Sequence, residues 1–434
     1  MTYYEAPRLL APPLADILGR SVPDLDLTKL RLGSSGSTGR LDPRARARAA
    51  IEPHLVGVAP GDTVAIGVGS RGIDGIDEVI AGVVAVLRER GALPFIVPAM
   101  GSHGGADAAR QKETLSRLGI SARLGAPVRA TMDTVSLGTA GDVAVWVDAF
   151  AAEVDHIVIV NRLKSHTSFS GQIESGLAKM LAIGLGKQRG AEELHRLGPT
   201  RIEERIVTAA RHICRRLPVL GGLALVEARD KRLSAVEFVG AEGIGSASEA
   251  ALLKLAKSQE ARLPFVQADV LVVDAMGKEF SGTGMDTNVL GRRMVRSMSE
   301  LVTPSITNIV CLAITEKSAG NAVGVGLADF VPSQLLERFD PMTTYVNTLT
   351  AGSQALQRAK IPIVLQNEVD AVTAAILTCD ADAIEGLRFA RIHNTLYLDE
   401  ILVTDPLIDE VISHGYDVVD RRSLFASHGR LSAW

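Results

Sequence analysis

Short Val/Ile-rich runs alternate with amphipathic helical patterns along most of this chain, and that alternation restricts the fold more than any other feature. Thr63–Val68 reads as a strand, Gly69–Gly75 as a turn, Glu78–Arg90 as a helix and Leu93–Val97 as a second strand. Parallel strands need helical crossovers, and strands covered on both faces read as unbroken apolar runs. Val143–Val147, Ile157–Val160, Val219–Val226, Val270–Asp274, Ile309–Ala313, Val372–Leu377 and Glu400–Val403 have that character. The class expected is α/β, with largely parallel sheets. The polar, helix-patterned segment Glu249–Arg262, which runs into Leu263-Pro264, is the best break between two such series. It predicts an N-terminal domain over residues 1–264, a smaller α/β domain over 265–434, and an active-site cleft between them.

With 434 residues, 47% of them hydrophobic, the chain can bury sizeable cores. A net charge of −4 and 4% aromatic content give no basic face for nucleic acid or an anionic membrane, and few rings for base stacking. The first thirty residues lack a signal-peptide pattern and no apolar stretch is long enough to span a bilayer, so a cytoplasmic protein is expected. Cys214, Cys311 and Cys379 are far apart and form no CxxC pair, which disfavours a zinc ribbon or an iron–sulfur cluster. A metal here would rely on His, carboxylate or a cofactor's sulfur.

Chemistry-bearing residues concentrate in Asn161–His195, NRLKSHTSFSGQIESGLAKMLAIGLGKQRGAEELH, with two histidines and three lysines in an Ala/Leu/Gly background. His166 follows a strand-like run, where α/β proteins place their chemistry. Lys179 has apolar neighbours. A snorkelling helix lysine is its ordinary role, whereas burial would lower its pKa and present a neutral amine suited to covalent attachment. Lys187 and Arg189 read as solvated, or as phosphate ligands at a helix end. His195 alone reads as a surface helix residue or a ligand. Three further loops are polar. Gly67–Ile73 carries Ser70 and Arg71, which suit a phosphate or carboxylate, although a plain turn with a surface arginine fits as well. Met100–Gly105 sets His103 among glycines that clear space around its ring; a loop-capping histidine is the alternative. Met276–Val289 holds Lys278 and Asn288 at a strand's carboxyl end, as a second domain's contribution to a cleft would.

These residues resemble the lactate racemase (LarA-like) family, whose members bind a nickel-pincer nucleotide and have a larger and a smaller α/β domain. The resemblance covers nearly the whole chain. It is carried by His166 with Phe169-Ser170-Gly171, by Lys179 with the run Met180–Leu185, by His195 sixteen residues after the lysine, and by the Gly101-Ser102-His103 loop. It implies Lys179 as the covalent attachment point, His195 as the nickel ligand, and His103 and His166 as an acid/base pair. Arg71 would grip the cofactor's phosphate, with Ser70, Lys164 and Lys278 also around the cofactor. The implied cofactor is the nickel complex of pyridinium-3-thioamide-5-thiocarboxylic acid mononucleotide, made and loaded by cofactor-biosynthesis proteins.

The activity implied is racemisation or epimerisation of a 2-hydroxy acid by transient hydride transfer through a 2-keto acid. Two histidines would relay the hydroxyl proton, help worth roughly 10²–10⁴-fold. Nickel held by a histidine and cofactor sulfurs needs no protein cysteine. Where lactate racemases carry an acidic residue and Thr-Arg-Pro, this chain has Gly69-Ser70-Arg71-Gly72, and Gly104 stands where they follow the first histidine with arginine. The spacing from His166 to Lys179 is also longer. A divergent subfamily acting on a sugar acid or a bulkier hydroxy acid fits these departures better than lactate. Two alternatives remain open: a lyase or hydrolase with an ordinary divalent ion at His103, His166 and His195, and a non-catalytic nucleotide or anion binder. Asp286, Asn288, Arg292 and His393 are further candidates for substrate contact, and a homo-oligomer is compatible with the sequence.

Overall fold

The computed structural model describes residues 13–33, 41–196, 198, 200–296, 298–379, 384–426 and 430–434. The chain forms two compact α/β units: Ser37–Glu260, and Met1–Gly36 together with Ala261–Trp434. The division expected near residue 265 therefore needs correction in one respect. The first strand, β1 (Asp26–Leu32), pairs antiparallel with two strands from the end of the chain, so the N-terminal segment belongs to the C-terminal unit. Such pairing across hundreds of residues leaves no local trace.

In the unit Ser37–Glu260, β2 (Thr63–Val68), β3 (Leu93–Pro98), β6 (His156–Arg162), β7 (Val219–Glu227) and β8 (Leu233–Gly240) form one sheet in the order β3-β2-β6-β7-β8. All neighbours are parallel except β8, which turns back on β7. The buried runs of β2 and β6 are apolar on both faces because helices cover both. On one face, Val64, Ile66, Val68, Val158 and Val160 pack against Ile76, Val79, Ile80 and Val83 of the helix Ile76–Glu89. On the other, Gly67 lets Ile159 and Leu185 close in; a Cβ there would stand 2.7 Å from Ile159 Cδ1.

Between β3 and β6 lie β4 (Thr134–Ala140) and β5 (Val143–Asp148), an antiparallel hairpin of its own. The expectation that Val143–Val147 is a parallel strand fails here, because its partner is the polar, half-exposed β4, and the tight turn around Gly141, at φ +62°, joins them.

The other unit carries an eight-stranded mixed sheet. Its strands are β1, β9 (Gln267–Val273), β10 (Ser305–Cys311), β11 (Phe330–Pro332), β12 (Ile363–Leu365), β13 (Phe389–Ile392), β14 (Glu400–Val403) and β15 (Tyr416–Ser423), in the order β12-β11-β10-β9-β13-β14-β1-β15. The first five in that order run parallel and the rest antiparallel. Val372–Leu377, expected as a strand, is the second half of the helix Glu368–Leu377, whose N-cap Asn367 accepts from Asp370 N. An apolar run of six does not distinguish a buried strand from a buried helix, and the capping asparagine before it decides. Among the described residues no helix is long and apolar enough to cross a membrane.

Candidate functional site

The order β3-β2-β6-β7 makes β2 and β6 a switch point: β2 leads away to β3 on one side, and β6 leads to β7 on the other. Loops that leave adjacent strands in opposite directions open a crevice at the carboxyl ends, where doubly wound sheets bind ligands. The loop after β2 carries Ser70 and Arg71, and the loop after β6 carries Lys164 and His166. His103 lies on the loop after β3, next to β2.

Each of these positions has a local cause. The chain from Lys164 to Ser175 is closed at its base, Lys164 N donating to Ser175 O at 3.0 Å and Ser175 N to Lys164 O at 3.3 Å. Inside it, Glu174, only 2% exposed, accepts from His166 N (2.6 Å), Gly171 N (2.8 Å) and Lys257 Nζ (2.5 Å). The His166 ring accepts at Nδ1 from Ser168 N (3.0 Å) and lies against Phe169, with ring centroids 4.3 Å apart. Gly171 allows the approach of Glu203, whose Oε1 accepts from Ile173 N at 2.8 Å. The loop is thus built around two carboxylates, and the ring of His166 is oriented by backbone.

Lys179 closes the turn Leu177–Lys179, directly before the π-helical turn Met180–Gly184. Glu249, 1% exposed, accepts from the leading N–H groups Leu177 N (2.6 Å) and Ala178 N (3.1 Å), and from Gly245 N (2.8 Å). A buried carboxylate at a helix start satisfies donors that have no intrahelical partner. Isolated π turns are rare and recur at functional positions. Gly184 is required in this one, since a Cβ would stand 2.7 Å from Ala99 O.

Lys179 and His195 are half-buried, and each keeps part of its surface open to solvent. Burial lowers the Lys179 ammonium to about 8, with the like charges of Arg71 and Lys164 adding to the effect and Glu174 opposing it. Burial, and then Lys179, lower His195 to about 4, so its imidazole is neutral at physiological pH. Arg71 is also lowered, by burial and then by Arg162, although its side chain keeps contact with solvent. The structure therefore brings Lys179, His195, Arg71 and Lys164 into one electrostatic cluster, with His103 and His166 on the adjoining loops of the same sheet end. Ser70, expected beside the cofactor, is hydrogen-bonded to His103: Oγ lies 2.5 Å from Nδ1.

Lys187 departs from expectation. It is not solvated: its side chain and that of Asp148 are both wholly buried, with Nζ 2.9 Å from Asp148 Oδ2. Arg189 is the exposed one, its guanidinium over the Trp146 ring at 4.9 Å. Lys278, Asp286, Asn288, Arg292 and His393 belong to the other unit. There Lys278 Nζ donates to Gly282 O (2.8 Å), and Asp286 caps Thr287–Leu290 through Asn288 N (3.0 Å). Arg292 is engaged by Asp329 and three backbone carbonyls, and His393 stacks on Trp434. Among the described residues no three His, Cys, Asp or Glu side chains form a metal-ligand group.

Glu174 and Glu249 had not been singled out from sequence. Glu174 is the one acidic residue between His166 and Lys179, a signal that was available. Glu249 stands 72 residues from the backbone it caps and gave none.

No protein-family model and no curated protein sequence matches the chain. Among solved structures it is similar to a Thermotoga maritima protein, with 14% identity over 74% of this chain and 84% of that one, and a TM-score of 0.49. It is also similar to the lactate racemase apoprotein from Thermoanaerobacterium thermosaccharolyticum, with 12% identity over 81% and 86% and a TM-score of 0.46. The functional reading rests on the residues of the site.

Proposed function

We propose that this chain is a racemase or epimerase of a 2-hydroxy acid that carries a nickel-pincer nucleotide on Lys179. The observation that carries the reading is a lysine lowered to about 8 beside a histidine lowered to about 4. The residues fit such a group in three respects. An amine that deprotonates near pH 8 is more readily acylated than an ordinary lysine, a neutral imidazole offers its lone pair to a soft divalent metal, and Arg71 and Lys164 supply positive charge for a phosphate. When bound, the group contributes a hydride-accepting pyridinium ring and a nickel ion.

The chain's own residues do the rest. His103 and His166 exchange the proton of the substrate hydroxyl, one on each face, and Ser70 orients the first through Nδ1. Arg71 and Lys164 hold anionic groups in place by charge. An ordinary divalent-metal enzyme finds no matching ligand set among the described residues.

The test is intact-protein mass spectrometry with metal analysis after co-expression with cofactor-biosynthesis proteins and nickel. A mass increase with stoichiometric nickel, absent in Lys179→Ala, is expected; no adduct on the wild type refutes the reading. The same cation cluster favours one second reading, a non-catalytic anion binder. In that case phosphate affinity, measured by calorimetry, survives substitution of His103, His166 and His195 and falls with Arg71→Met.

A further inference from the structure

We propose that the buried Lys187–Asp148 ion pair, acting through Gln111, is a positioning device that sets His103 relative to Lys179 and His195. The inference rests on the reading of His103 as an acid/base group.

Lys187 stands where three elements of the site meet. The π-helical turn that begins beside Lys179 ends at Gly184, and the helix Lys187–Arg196, which carries His195, begins at Lys187. Nζ reaches Asp148 Oδ2 (2.9 Å), donates to the carbonyl of Pro98 at the end of β3 (2.5 Å), and lies 3.5 Å from Gln111 Oε1. Gln111, itself fully buried, turns its Nε2 to the carbonyls of Gly101 and His103, both at 3.0 Å. Gly101 N donates to Gly184 O (3.0 Å) and Asp148 N to Leu185 O (2.8 Å), which joins the His103 loop and β5 to the end of the π turn. Gly101 has φ +58°, and a Cβ there would press on Ile183.

Two physical points separate this from ordinary core structure. Lys187 holds φ +53°, a left-handed conformation disfavoured for a side chain of its size. Such strain persists where the surroundings over-determine it, commonly at functional sites. A buried ion pair is also a poor device for stability, since apolar replacements of similar volume are often neutral or better. Burial pushes the Lys187 ammonium down and the Asp148 carboxyl up, and their mutual attraction opposes both shifts.

The experiment uses the full-length protein without cofactor, labelled with ¹⁵N-histidine, and reads the ring nitrogens of His103 by long-range ¹H–¹⁵N correlation across pH. Ser70→Ala supplies the signature of a His103 ring released from its hydroxyl partner. In the double variant Lys187→Met/Asp148→Leu, His103 is expected to lose the Ser70-bonded Nδ1 shift and move to that signature, while His156 and His212 keep theirs. A folded double variant whose His103 signals superpose on wild type overturns the proposal. If the double variant does not fold, Gln111→Leu removes the carboxamide that bridges Lys187 to the carbonyls of Gly101 and His103 and is read in the same way. In loaded enzyme, kcat falls with KM held. The spectra need neither cofactor nor substrate, so a failed racemase reading, shown by absence of the adduct, is distinguishable from a failed positioning role.

Discussion

Replacing Lys179 with methionine should stabilise the cofactor-free protein at neutral pH, and the gain should shrink as pH rises. The ammonium is lowered from 10.5 to about 8, a difference of about 2.5 units, and each unit corresponds to about 1.4 kcal/mol. The unfolded chain therefore binds more protons at this site than the folded one between pH 8 and 10.5, so stability rises with pH across that window. At pH 7 both states are protonated and the penalty is nearly complete, about 3 kcal/mol. At pH 9.5 the same linkage leaves about 1.4 kcal/mol. Because Lys179 keeps some contact with water, solvent screening reduces both figures, and about 1–2 kcal/mol is expected at pH 7. Methionine retains the stem's packing and removes the charge. Thermal melts of wild type and Lys179→Met at pH 7 and pH 9.5 provide the assay, with a shift of roughly 2–4 °C per kcal/mol for a unit of this size. A variant no more stable than wild type at pH 7, or a difference independent of pH, would show that Lys179 is solvated like a surface lysine.

The same depressed ammonium predicts that acylation of Lys179 by acetic anhydride, which releases acetate, followed by peptide mass spectrometry, has its midpoint near pH 8; Arg71→Met removes a like charge and moves the midpoint up. A midpoint near that of surface lysines argues against the cluster. Lys187→Met alone leaves the Asp148 carboxylate buried and unpaired, a loss of about 3–5 kcal/mol, and adding Asp148→Leu should recover most of it in chemical denaturation; a single variant costing under about 1 kcal/mol contradicts the buried pair. Glu249→Ala strips the carboxylate from three buried N–H groups and should cost at least about 2 kcal/mol, with slower adduct formation at Lys179 under co-expression; an unchanged melting curve would mean that water replaces the cap.

The α/β class and the polar loops at the carboxyl ends of the strands were legible because both leave local marks. Apolar runs of strand length, followed by glycines and isolated polar residues, mark buried parallel strands and their carboxyl-end loops wherever they occur. Thr63–Val68 with Ser70-Arg71, and Ile157–Val160 with Lys164 and His166, are such pairs. Where the same marks are ambiguous the reading failed, as at Val372–Leu377, a helix, and Val143–Val147, a hairpin strand. A lysine at a helix start is usually solvated, and Lys187 could be known as buried only once Asp148, Pro98 and Gln111 were placed around it.

By itself, then, the sequence determined which residues are available for chemistry and the periodicities that make strands and helices, since those depend on neighbours a few positions away. Tertiary structure alone decided that β1 joins the sheet of the C-terminal unit, that Glu249 caps the turn of Lys179, and that Ser70 turns to His103. It also decided that the charged forms of Lys179 and His195 are both disfavoured. The reason is physical: desolvation and hydrogen bonding depend on what surrounds a group in space, and here the decisive neighbours lie from 16 residues away, as for Lys179 and His195, through 72, as for Leu177 and Glu249, to 369, as for Arg31 of β1 and Glu400 of β14.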